Sequence, residues 1–376
     1  AYVTSNKDFY RIDTALYPPQ VDPAGWELRI HGMVRNPITL SFADLLARPM
    51  VEKYVTLACV SNEVGGDLIG NVQRARRFEF QDMVDHLGQP IDEEEWAMSK
   101  IKVAINGFGR IGRSAFKIAW ERSDIEIVAI NDLTDNSTLA YLLQHDSNYG
   151  TYHHQVASSD EGITVDGKAV KVLAERDPAA LPWGELGVDV VIESTGFFTA
   201  KEDASKHLTA GAKRVVLSGP TKSDEISTIV LGANDDSVKQ ATPVVSNASC
   251  TTNSLGAVMS ILDIEFGVEK SLLTTVHSYT ASQKIQDAPA KDLREGRNAA
   301  ENIVPTSTGA AIAVTKALPG LKDKFDGISM RVPTPVVSIS DVTALLSREV
   351  TIEQINAAFE KAAKQPFYQG ILDVTD

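Results

Sequence analysis

The 376-residue sequence predicts an α/β protein built on a doubly wound parallel sheet. Two observations carry that reading. From Ile101 onward, apolar β-type runs alternate with segments of helical period, the pattern of strands joined by crossover helices. The first of these runs leads into Gly107-Phe108-Gly109-Arg110-Ile111-Gly112, a G-x-G-x-x-G turn where a strand gives way to a helix. Composition agrees with a globular chain of two or three domains, at 43% hydrophobic and 23% charged residues.

The elements follow in order. "IKVAING" is the first strand of the sheet, and a helix around Ser114–Glu121 follows it. "IEIVAIND" is the second strand, with a second helix near Ser137–Gln144. "DVVIES", "RVVLSG" and "STIVLG" supply later strands. Residues 100–248 therefore form a Rossmann-type dinucleotide-binding unit, and residues 249–376 a separate domain. Ahead of them, residues 1–73 are rich in Pro, Gly and short β-like runs such as "WELRIHGMV" and "EKYVTLACV", a small β-rich N-terminal segment. Residues 74–99 are strongly charged and read as a linker or junction with one short helix at about Phe80–Leu87. Met98-Ser99-Lys100, just before the glycine-rich strand, reads like the start of a second protein.

Charge and composition exclude several classes. The net charge is −14, and residues 1–98 (9 Lys/Arg against 15 Asp/Glu) and 99–376 (27 against 35) are both acidic. Binding to bulk nucleic acid or to an anionic membrane is not expected, and no apolar run is long enough to span a bilayer. The two cysteines, Cys59 and Cys250, do not make a disulfide framework. "YHHQ", with His153 and His154, reads as a solvated strand edge without metal-ligand spacing.

The glycine motif carries the first chemistry. Gly107 permits the tight turn, Gly109 lets backbone approach a pyrophosphate, and Gly112 lets helix and strand pack closely. The helix N-terminus offers N–H donors and a positive dipole to phosphates. Asp132, at the end of the second strand, can accept from ribose hydroxyls, and its charge repels a 2′-phosphate, so NAD is favoured over NADP. The second chemistry centres on "VVSNASCTTNSLGAVMSILD", which puts Cys250 after a strand and at the front of a helix, where the thiolate is favoured. His277, at the end of "LLTTVH", is a candidate base for it. On spacing alone, the same two residues are equally compatible with structural roles.

From Ile101 to Asp376 the sequence closely resembles phosphorylating glyceraldehyde-3-phosphate dehydrogenases. The resemblance rests on "INGFGRIGR", "AERDP", "ESTGFFT", "SNASCTTN", "TTVHSYT", "NIVPTSTGAA" and "MRVPTPVVS", in the family's order. It implies that the second domain is an α+β catalytic domain. It implies NAD-dependent oxidation of glyceraldehyde 3-phosphate to 1,3-bisphosphoglycerate through a thioester on Cys250, with His277 as base. The cofactor residues it implies are Gly107, Phe108, Gly109, Arg110, Ile111, Gly112, Asp132, Arg176, Ser194, Thr195, Gly196 and Ser218. Thr280 and Arg331 would hold the substrate phosphate. Ser249, Thr251, Thr308 and Gly309 would serve inorganic phosphate. A cytoplasmic homotetramer is the expected form.

Two departures qualify these expectations. Glu295 follows Arg294 where the family often has a second arginine, which places phosphate affinity in doubt. The sequence also ends at Asp376, short of the family's closing helix and of an Asn that fixes the nicotinamide carboxamide. Impaired turnover and an exposed apolar groove on the cofactor domain are expected from that. Alternatives in the same reading are an erythrose-4-phosphate dehydrogenase and an inactive NAD-binding module. Residues 1–73 resemble instead the start of molybdopterin oxidoreductases of the sulfite oxidase type, on "TSNKDFYRIDTALYPPQVDPAGWELRIHGMVRNPITLSFADLLARP" and "VTLACVSNEVGGDLIGNV". That resemblance makes Cys59 the counterpart of a molybdenum ligand and gives a further alternative, a molybdopterin-dependent oxidoreductase fragment acting through Cys59. The segment covers too little of the fold to build a pterin cavity, so no metal is expected there.

Overall fold

Alternating strands and helices from Ile101 assemble into a nine-stranded sheet. The structure is a computed structural model that describes residues 100–374 and four short N-terminal strands: Glu27–Ile30 (β1), Ile38–Ser41 (β2), Met50–Val51 (β3) and Tyr54–Val55 (β4). Cys59, Met98 and the helix expected at Phe80–Leu87 lie outside the described residues.

The large sheet is built from Ile101–Asn106 (β5), Ile125–Asn131 (β6), Val156–Ser159 (β9), Gly162–Val165 (β10), Lys168–Leu173 (β11), Val190–Glu193 (β12), Arg214–Leu217 (β13), Ser227–Thr228 (β14) and Val244–Ser246 (β15). His145–Asp146 (β7) and Gly150–Thr151 (β8) form a separate small ribbon. The strand order is β14-β15-β13-β12-β5-β6-β11-β10-β9, parallel from β14 to β11 and closed by an antiparallel hairpin. Its central strands are buried almost throughout, as a sheet covered on both faces requires: Val190–Glu193 is entirely buried, and in Ile101–Asn106 only Lys102 is exposed. Helix α1 (Arg110–Trp120) packs Ala115, Phe116 and Ala119 into the core with Ile105, Ile127 and Ile130. Helix α2 (Asn136–Gln144) adds Leu139 and Leu143. Asp135 caps α2, accepting from the Thr138 amide.

Three short helices, Trp183–Leu186 (α3), Lys201–Ala204 (α4) and Lys206–Thr209 (α5), line the connections. The long helix Cys250–Phe266 (α6) then leads to the second sheet. That sheet runs Val304–Ser307 (β17), Phe325–Val332 (β18), Val268–Ser278 (β16) and Ser338–Leu346 (β19), with β3 and β4 paired along the outer edge of β19. Helices α6, Ala310–Ala317 (α7) and Ile352–Ala363 (α8) share a core with its inner face through Leu255, Met259, Leu273, Val314, Val342 and Phe359.

Three sequence expectations need correction. Helix α1 begins at Arg110, four residues before Ser114, because Gly112 sits inside its first turn. "STIVLG" is a strand only at Ser227–Thr228. Beyond it the Val230 amide donates to the Asn234 side chain, and Gly232 turns through a φ of +78° with its amide on Asp235, so the ladder ends. His153 and His154 lie in a bend between β8 and β9, not on a strand edge, and His154 is half-buried.

Candidate functional site

Five parallel strands in consecutive order deliver the predicted cofactor residues at one edge of the sheet. Gly107 follows β5, Asp132 follows β6, Arg176 comes shortly after β11, Ser194 follows β12 and Ser218 follows β13. The carboxyl edge of such a sheet is where ligands bind, because the helix N-termini and loops open there.

The three glycines occupy different environments. Gly107 has a φ of +91°, and a Cβ there would lie 2.7 Å from the Thr195 amide nitrogen. A Cβ on Gly112 would lie 2.1 Å from the Gly107 carbonyl oxygen. Both glycines are therefore required by the protein's own packing. A Cβ on Gly109 would meet nothing within 4 Å. The space over Gly109 is open in front of the α1 N-terminus, which has no side-chain cap. That leaves first-turn amides such as those of Arg110 and Ile111 facing a cradle suited to a pyrophosphate, so the chain's residues fit a dinucleotide.

The Arg110 guanidinium turns away from this cradle into a bidentate pair with Asp146, at 3.0 and 3.3 Å. Burial pushes the Asp146 carboxyl up, but the Asn148 and Tyr149 amides and Arg110 outweigh it and hold the group below its ordinary value. Burial, and then the neighbouring Arg110, lower Arg113, whose guanidinium donates to the Phe108 carbonyl. Asp132 bridges the loop, accepting from the Phe108 amide at 2.7 Å and the Thr134 amide at 2.9 Å. Arg176 is exposed.

Beneath the loop lies a polar network that sequence reasoning missed. Glu193 is fully buried, and its carboxylate accepts from the Asn106 side chain (2.5 Å), His207 Nε2 (3.0 Å), and the Thr195 amide (2.8 Å) and hydroxyl (2.5 Å). Trp183 Nε1 donates to His207 Nδ1, which fixes the ring with its proton on Nε2, toward Glu193. Asn131 donates to Asn106, and the Ser194 hydroxyl donates to the Gly107 carbonyl. Thr195, Ser194 and the glycine turn are thus held from below. Glu193 was visible as the first residue of "ESTGFFT", but its partners come from distant elements.

The thiol site joins two elements. Ser249 caps α6, accepting from the Thr252 amide, so Cys250 is the first residue of the helix. Ala248 holds a φ of +57°, which costs about 1–2 kcal/mol for a residue with a Cβ. Asn253 ties the turn down by donating to the Asn247 and Ser249 carbonyls. Cys250 Sγ lies 3.3 Å from His277 Nε2. His277 Nδ1 is 2.8 Å from the Ser278 carbonyl oxygen, and donation to it leaves the Nε2 lone pair facing the thiol. Arg331, the register partner of His277 on β18, reaches the same nitrogen at 2.5 Å and the Ser278 oxygen at 3.2 Å. A guanidinium can only donate, so with Nδ1 protonated its bond goes to the Ser278 oxygen.

The chain belongs to the glyceraldehyde-3-phosphate dehydrogenase family. Residues 101–201 match the family's NAD binding domain and residues 249–376 its C-terminal domain. The chain is 55% identical over 278 residues to a glyceraldehyde-3-phosphate dehydrogenase of Streptomyces coelicolor, covering 73% of this chain and 82% of the relative. A Geobacillus stearothermophilus relative of the same name is 54% identical over 273 residues, 72% of this chain and 81% of that one. One from Mycolicibacterium smegmatis is 51% identical over 284 residues, 73% and 83% of the two chains. Residues 15–81 match a different family, the oxidoreductase molybdopterin binding domain.

The remaining predicted residues lie at two helix starts and in the loop past His277. Ser249 and buried Thr251 lie at the head of α6 beside Cys250. Thr308 and Gly309 lie at the head of α7, with Gly309 as its N-cap and the Thr308 hydroxyl accepting from the Ala310 amide. Thr280 is exposed just past His277, its hydroxyl beside Ser282. Arg294 is committed to Asp292 at 2.7 Å and Arg297 to Asp287 at 2.7 Å.

Proposed function

We propose that this chain oxidises glyceraldehyde 3-phosphate to 1,3-bisphosphoglycerate, with NAD and inorganic phosphate as co-substrates. The observation that carries this is the 3.3 Å contact between Cys250 Sγ and His277 Nε2 at the head of a helix, in a chain that also holds an open dinucleotide cradle.

His277 Nε2 takes the thiol proton, the Cys250 sulfur attacks the aldehyde carbon as the C=O π pair moves to oxygen, and the imidazolium returns the proton to that oxygen, giving a hemithioacetal and a neutral His277. His277, held by Ser278, then removes the hydroxyl proton as the carbon is oxidised to a thioester. NAD supplies the hydride acceptor, held by the backbone of residues 107–112, by Asp132 and Arg176, and by Ser194, Thr195, Gly196 and Ser218. The phosphate oxygen attacks the thioester carbonyl, releasing the acyl phosphate and the Cys250 thiolate. The amides of α6 and α7 with Ser249, Thr251, Thr308 and Gly309 favour the attacking anion. Arg331 and Thr280 favour the substrate phosphate. In this reading residues 100–248 are the cofactor domain, 249–376 the catalytic domain, 74–99 a junction and 1–73 a molybdopterin-oxidoreductase-like segment.

A homotetramer is the proposed assembly. Leu272, Val276, Ile328 and Ile339 share the outer face of the second sheet and are exposed, with Val276 and Ile339 directly paired. An apolar face of that kind suits contact with another copy. A cytoplasmic location suits a reaction that needs Cys250 as a free thiol.

The test is NADH formation from glyceraldehyde 3-phosphate, NAD and phosphate. Production that requires phosphate or arsenate, and that stops in Cys250→Ser, is the expected result. Production indifferent to both acceptors would favour a non-phosphorylating dehydrogenase such as one for erythrose 4-phosphate.

A further inference from the structure

The cofactor domain carries a second cluster of ligating side chains, away from the glycine cradle and from Cys250. Glu121 is the C-cap of α1, and His153 and His154 lie in the bend before β9. His153 Nε2 lies 3.1 Å and His154 Nε2 lies 2.6 Å from the same Glu121 oxygen, and the three ligand atoms are within 4.8 Å of one another. The other nitrogen of His154 faces Asp166 at 2.5 Å. Asp166 in turn accepts from the Gln155 amide at 2.8 Å.

We propose that Glu121, His153 and His154 form a binding site for a divalent transition metal of the zinc class. Two imidazole Nε2 atoms converge on one carboxylate oxygen, where they are held by hydrogen-bond and ion-pair contacts, and a cation bound at that point takes the place of the shared protons. Ligand atoms around tetrahedral zinc sit about 3.3 Å apart, from bond lengths of about 2.0–2.1 Å. The His153–Glu121 separation is already close to that, and both side chains are exposed and free to adjust. Asp166 supplies the second requirement. It accepts from His154 Nδ1, which keeps that proton there and turns the Nε2 lone pair toward the metal. The C-terminal end of α1 adds a negative partial charge. Mixed imidazole and carboxylate ligands suit zinc, cobalt, nickel or copper rather than magnesium or calcium, which take oxygen ligands. Three protein ligands leave the fourth position to solvent, on the side where His153 is 70% exposed.

The test is calorimetric titration of the full chain, without an affinity tag, with zinc chloride in phosphate-free buffer after alkylation of its thiols. Alkylation removes Cys250 and Cys59 as competing ligands. The expected result is binding of one zinc per chain, weakened at least about tenfold in His153→Ala and in His154→Ala, and about tenfold in Asp166→Asn, the orienting residue. His153→Ala removes an exposed side chain, so it keeps the test valid even if the His154 variant does not fold. Titration of the unalkylated variants for NADH production, expected to match the parent protein, checks that they are intact. No binding, or binding of equal affinity in His153→Ala, would overturn the proposal.

Discussion

Cys250 Sγ and His277 Nε2 lie 3.3 Å apart, although one heads a helix and the other is near the end of a strand 27 residues later. The carbonyl of Ser278 holds the imidazole from its far side. Replacing His277 with Asn keeps a polar side chain that can still donate to the Ser278 carbonyl and removes its proton chemistry. We expect kcat to fall by about 10²–10⁴, with the rate of iodoacetamide alkylation of Cys250 falling at neutral pH and recovering as pH rises. Stopped-flow NADH absorbance and alkylation rates measured across pH check this. An unchanged alkylation profile would separate His277 from the thiol.

The glycine turn predicts opposite outcomes for two substitutions in one motif. In Gly112→Ala the new methyl lies 2.1 Å from the Gly107 carbonyl oxygen, so helix and strand must part. The expected loss is about 1–3 kcal/mol of stability, read from urea midpoints. In Gly109→Ala the methyl meets no protein atom, so stability should stay within about 0.5 kcal/mol while NAD affinity falls. Fluorescence titration with NAD distinguishes them.

The buried carboxylate of Glu193 accepts from four donors. Glu193→Gln turns an amide donor toward some of them and is expected to cost about 1–3 kcal/mol. Because Thr195 is fastened to Glu193 and Ser194 to the glycine turn, NAD affinity should fall as well. Thermal melts with and without NAD check both effects. Loss of stability with full NAD affinity would show that the network supports the core alone.

Asp135 gives a pH signature. The Ser137 hydroxyl, then the Thr138 amide and hydroxyl, hold its carboxyl down at about 2 from an ordinary 3.8. A depressed folded value means that the cap's charge-dependent contribution is fully present above the unfolded value. It is lost as pH falls from about 4 toward 2. The stability gap between the parent protein and Asp135→Asn should therefore be constant above pH 5 and shrink over that window, as followed by urea unfolding. A gap independent of pH would mean that the carboxylate's charge plays no part in the cap.

The sequence by itself determined the parallel-sheet class, the glycine turn, Asp132 at the end of its strand and Cys250 at a helix start. Each is local: hydrophobic period, turn chemistry and capping depend on neighbours within a few residues. Motif spacing also brought His277 forward, though it could not say that the two side chains meet. Only the tertiary structure decided that contact, because it depends on how α6 packs against β16. The same holds for Glu193 with Asn106, separated by 87 residues, and for Arg110, whose guanidinium goes to Asp146 instead of the cradle. It holds most clearly for His153 and His154. In sequence they are a polar pair with no ligand spacing, and the third partner, Glu121, lies more than thirty residues away. Pairing between distant side chains depends on the path of the whole backbone, and no local period encodes that.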